Sequence, residues 1–281
     1  MDIYLAEERA FHFVPQISLE IARDRLEQKK ASLVAGTLGA LLSRPKPEEI
    51  KIVSVESWLE SFWLITVFIH IAYERSRIYT VPLSGSEIQQ ITILGQDLPV
   101  SAGAKGNPSF SLSGVEHCVE ERRVSHTFDG VTGEMVDYSK YLSFAKSEIT
   151  DLEHFAPEGM LVAPPQVHAS AVVRPVMAEV VKPIQAQVVH EERVNVEAVE
   201  LNFRPIYAFE YEWVPKAKRV VLEFDALTGE MRTGGKNLGQ RIKGVLTRDV
   251  LFDVTADAAG LIVPGGSIAV KLVKAVVDRR K

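Results

Sequence analysis

The sequence predicts an α+β protein of two related lobes, each a helix packed on an antiparallel β-sheet, plus a C-terminal amphipathic helix. Three observations carry that expectation. The octapeptide FDGVTGEM at residues 128–135 returns ninety-six positions later as FDALTGEM at residues 224–231. Sliding the chain over itself by 144 positions places Ile50 on Val194, Ile52 on Val196, Glu56 on Glu200, Trp63 on Tyr207 and Gly85 on Gly229. Apolar positions keep phase over that stretch, as a duplicated unit would. In each half, finally, a helix-like segment precedes alternating strands.

The first helix is expected after Ser18, a good N-cap, with Leu19, Ile21, Ala22 and Leu26 at mainly helical spacing. Residues 61–73, SFWLITVFIHIAY, are rich in β-branched and aromatic side chains and read as a buried strand. A loop rich in glycine, serine and proline covers 95–108, and an acidic connector with Pro157, Pro164 and Pro165 covers 146–166. Residues 167–190 take the place of the helix in the second half, and Pro175 and Pro183 are expected to kink or break it. RVNVEAVEL, FRPIYAFEYEW and KRVVLEFDA then read as strands. At the end, Ser267 can cap a helix whose apolar stripe is Ile268, Leu272, Val273, Val276 and Val277. The chain thus divides into an N-terminal lobe (1–145), a connector (146–166), a second lobe (167–248) and a C-terminal hinge and helix (249–281).

In the octapeptide, the aspartate carboxylate can accept from N–H groups two and three residues on, and the glycine supplies the positive φ at the loop exit. Asp129, Gly133, Asp225 and Gly229 are therefore read as residues that shape turns. A helix opening with Ile17-Ser18-Leu19-Glu20, strands, and a closing Phe-Asp-Ala-Leu-Thr-Gly-Glu-Met together resemble the PepSY domain family. The resemblance implies a helix over an antiparallel sheet and a binding or inhibitory role without catalysis.

Hydrophobic content of 46% and charged content of 25% are those of a globular chain with a core. A net charge of −5 argues against a general nucleic-acid binder. The single cysteine, Cys118, excludes an internal disulfide and favours a reduced compartment. The N-terminal residues are acidic where a signal peptide needs a basic stretch. The longest apolar run is about half of the roughly 20 residues that span a bilayer. The expectation is a cytoplasmic protein with no membrane span.

Candidate chemistry is sparse. The seven histidines show no metal spacing, and His117 and Cys118, neighbours on a strand, point to opposite faces. No metal, cofactor or catalytic residue is assigned. GEMRTGGKN at residues 229–237 fails as a phosphate loop, because Lys236 is followed by asparagine and an extra glycine shifts the spacing. Residues 216–248 are basic, and Lys218, Arg219, Lys236 and Arg241, with Tyr207 and Trp213 for stacking, are candidate binding residues. The leading expectation is a non-catalytic binding or assembly protein. It would meet a protein partner or another copy of itself through exposed sheet edges or the C-terminal helix. The alternatives are an enzyme with a site between the lobes near His117, Cys118 and His126, and an anion or nucleic-acid binder using the basic segment.

Overall fold

The computed structural model describes residues 1–42, 45–102, 107–234, 251–252 and 271–274. Two short strands, β1 (Asp2–Leu5) and β2 (Glu8–Phe13), precede helix α1 (Leu19–Leu42) and the long strand β3 (Ile50–Pro82). A hairpin of β4 (Gln90–Ile93) and β5 (Gln96–Pro99) and the two-residue β6 (Ser101–Ala102) lead to β7 (Pro108–Asp129). Then come β8 (Lys146–Glu148), β9 (Leu161–Val162), helix α2 (Ala169–Val180) and the second long strand, β10 (Val188–Trp213). β11 (Lys218–Asp225), β12 (Met231–Thr233) and β13 (Lys271–Lys274) complete the described elements.

The two-lobe expectation is wrong. Among the described residues strand far outweighs helix, with only two α-helices, and eleven strands join one mixed sheet. β3 and β10 are the reason. They pair antiparallel from Ile50↔Trp213 to Glu74↔Val188, so both halves of the chain share one ladder. β11, β2 and β1 follow one another along the outer edge of β10, while β9 and β7 do so along β3. Pro205 has no N–H for a ladder, and it lies where the outer neighbour of β10 changes from β2 to β11. Residues 146–166, expected as a connector, supply β8 and β9 to the same sheet.

Both helices cover one face of this sheet. Ala22, Leu26 and Val34 of α1 pack against Tyr207, Phe209, Tyr211 and Trp213. Val172, Val173, Val176 and Met177 of α2 pack against Trp63, Ile65 and Val67. The pairing of β3 with β10 runs without a register shift from Ser57 to Trp63, so odd-numbered residues of β3 keep to the helix side over that stretch. Ser18 caps α1, its Oγ accepting from the Ile21 N–H at 3.3 Å. Pro175 lies inside α2, which ends at Val180 before Pro183.

The C-terminal helix is also corrected where the structure describes it. Lys271–Lys274 is a strand, parallel to β1 along its otherwise open edge. A strand at KLVK satisfies a ladder there that a helix would leave unmet. The remainder of that expected helix, with Ser267 and Ile268, lies outside the described residues.

Candidate functional site

The two octapeptides make the same turn. Asp129 Oδ1 accepts from the N–H groups of Val131 and Thr132 at 2.9 and 2.8 Å, and Asp225 Oδ1 from Leu227 and Thr228 at 2.9 and 3.0 Å. Gly133 and Gly229, at φ of 72° and 77°, each return an N–H to the aspartate carbonyl. The matching continues outward. Gly130 N–H donates to the Ser61 carbonyl and Ala226 N–H to that of Pro205. Val167, just ahead of α2, donates to the Gly130 carbonyl, and Ile17, just ahead of α1, to that of Ala226.

Between these turns, on the face without helices, lies the densest group of charges. Glu60 and Arg204, which coincide under the 144-residue shift, face each other across β3 and β10. Arg204, only 4% exposed, donates through Nη2 to Glu60 and through Nη1 to Tyr141 Oη at 2.6 Å and Asp225 Oδ2 at 2.7 Å. Arg232 bonds Glu223 through Nε and Glu60 through Nη2 at 3.0 Å. The rings of Tyr138 and Tyr141 lie 5.3 and 5.0 Å from the guanidinium. Burial works against the Arg204 charge, but Glu60, Tyr141 and Asp225 outweigh it and raise the pKa. Burial likewise pushes Tyr138 up to about 12 and Tyr141 higher still.

A cavity of about 280 Å³ opens on this network, lined by Tyr138, Lys140, Tyr141, Glu223, Asp225 and Arg232 among others. Each cation meets an anion, Lys140 reaching Glu230 at the mouth. A charged ligand would have to break a buried pair, which costs about 3–5 kcal/mol. The network therefore reads as a clasp of the sheet centre.

The residues singled out from sequence scatter. His117 faces away from the helices and meets Glu74 at 3.0 Å. Cys118 packs against the α2 cluster on the other face. His126 shares the Cys118 face but lies eight residues along the strand, roughly 26 Å away, and meets Glu179 of α2 at 2.8 Å. These three do not converge. Tyr207 and Trp213, each 4% exposed under α1, are removed from any stacking surface. Lys218 donates to the Val34 carbonyl and Arg219 meets Glu210 at 3.6 Å. Lys236 and Arg241 lie outside the described residues. Among the described residues no three metal-ligating side chains cluster, and no helix is long and apolar enough to cross a membrane.

Among the described residues, what lacks partners is backbone. β7 pairs with β3 from Ser109 to Asp129 without a register shift. Its outer edge meets β6 at Pro108 and Ser109, and Met135 at Phe128. Between those brackets, residues 110–127 have no ladder partner on that side among the described residues. The outward phase is fixed at both ends. The Thr127 carbonyl accepts from Val136 on the outer side, while the Pro108 carbonyl accepts from Leu83 on the inner side. Every odd-numbered residue from 111 to 125 therefore points its N–H and C=O outward. The stretch holds no proline, no lysine and no bulge, and its edge protection is confined to the charges of Glu116, Glu120, Glu121, Arg122 and Arg123. Val115 and Val119, also on its open face, are 55% and 64% exposed.

β3 and β7 also outrun the sheet. β10 begins opposite Glu74, so residues 75–82 and 109–116 project as a two-stranded ribbon of about 26 Å. Neither the edge nor the clasp was singled out in the sequence. The alternation of β7 is visible there, but edge status depends on which strands pair. No family model, curated protein or solved structure matches the chain.

Proposed function

We propose that the chain is a non-catalytic binding or assembly protein that takes an extended segment of a protein partner as an added strand along the outer edge of β7. One observation carries this reading: an edge over residues 111–125 whose outward N–H and C=O groups have no ladder partner among the described residues. Main-chain bonds supply the affinity in such a contact, and the exposed Val115 and Val119 add apolar area. The matched turns and the matched bonds at Ser61 and Pro205 support a chain formed by duplication of a helix–strand–hairpin segment, now woven into one sheet. A single cysteine supports a reducing compartment such as the cytoplasm.

Val119→Pro tests the reading. The substitution removes an outward N–H and sets a ring on the edge, a change that edge strands tolerate. An array of extended peptides should bind the wild-type chain and not the variant, with both melting at nearly the same temperature. Equal peptide capture by the two proteins would contradict strand addition at this edge.

A further inference from the structure

We propose that the strand added to β7 is β7 of a second copy, antiparallel about a two-fold axis through Val119. This rests on the strand-addition reading and names its partner. Among the described residues the outer edge has no ladder partner over residues 110–127, whose midpoint falls beside Val119, so two copies can overlap along that stretch. Val119 belongs to the outward-bonding set, and two such residues on the axis exchange both of their hydrogen bonds.

Side-chain charge selects this register. With Val119 opposite Val119, Glu116 faces Arg122 of the second copy and His117 faces Glu121, each pairing occurring twice. Ser113 faces Ser125 and Cys118 faces Glu120. The neighbouring registers are worse. Centring on Cys118 sets Glu116 against Glu120, and centring on Glu120, Glu121 or Arg122 sets each of those charges against itself. Like charges directly opposite destabilise a pair, whereas opposite charges contribute. The pairing also keeps the faces consistent. Even-numbered residues of β7 lie on the helix side, as Cys118 and Val124 show by packing against the α2 cluster, and they meet even-numbered residues of the second copy. The product is one continuous sheet with all helices on one side.

Sedimentation of the full chain over a concentration series tests the assembly, and a cross-link tests its register. The wild type should reach a dimer, and Val119→Pro should weaken association about tenfold or more while melting as the wild type does. Glu120→Cys places a thiol opposite Cys118 of the second copy in a narrow, non-hydrogen-bonded pair, so it should give a covalent dimer on mild oxidation. Arg122→Cys, opposite Glu116, should not. A wild type that stays monomeric overturns the proposal. So does a dimer indifferent to Val119→Pro, or one cross-linked by Arg122→Cys instead of Glu120→Cys. If the wild type is monomeric yet captures extended peptides at β7, the self-pairing is lost and the strand-addition reading stands. If it does neither, both are lost.

Discussion

Arg204 holds three acceptors at the middle of the sheet: Glu60, Asp225 and the Tyr141 hydroxyl. Removing it leaves Glu60 and Asp225 buried with less positive charge, so Arg204→Met should cost about 3–5 kcal/mol in urea unfolding. A loss below about 1 kcal/mol would mean that the clasp contributes little. The glycines carry a second expectation. A Cβ at Gly130 would stand 2.7 Å from the Ser61 backbone oxygen, and one at Gly229 would be held at a φ of 77°. Gly130→Ala and Gly229→Ala should each destabilise by about 1–3 kcal/mol, while a φ-neutral control such as Ser143→Ala should not. The turn chemistry of Asp129 and Asp225 lies within eight residues, so sequence can carry it. Glu60 and Arg204 lie far apart in the chain, and nothing in their surroundings there indicates that they meet.

At the scale of elements, residues 137–145 cross the face without helices and set Tyr138 and Tyr141 over Phe62 and Arg204. Both hydroxyls have their pKa raised by burial, so the folded state favours the neutral phenol. That preference contributes fully below the unfolded tyrosine pKa of about 10. It is lost as pH rises toward the folded value, about 12 for Tyr138. The melting temperature should therefore fall between these limits, and Tyr138→Phe should flatten part of the fall. A fall as steep in Tyr138→Phe as in the wild type would remove Tyr138 from this role. Of the elements, α1 with its Ser18 cap and the apolar core of β3 were legible, because periodicity and capping are local signals. The C-terminal strand was not, because KLVK suits either state until the edge of β1 is there to pair with it.

For the whole molecule, the long ladder of β3 with β10 replaces two lobes by one sheet. Sequence alternation assigns faces to a strand but says nothing about its neighbours. The repeat was therefore visible while the arrangement of its parts was not. Unfolding should be a single transition. Trp63 lies in the α2 cluster and Trp213 in the α1 cluster, so variants in which one of these is the sole tryptophan, Trp58 also being replaced, report the two regions separately. Coincident midpoints are expected, and two separated midpoints would restore independent lobes. The central claim concerns the outer edge of β7, and amide hydrogen exchange read residue by residue tests it most directly. In concentrated wild type, the odd-numbered amides of residues 111–125 should be protected, and they should lose protection on dilution or in Val119→Pro. Equally fast exchange at those amides in every sample, while the even-numbered ones remain protected by β3, would show an edge that pairs with nothing.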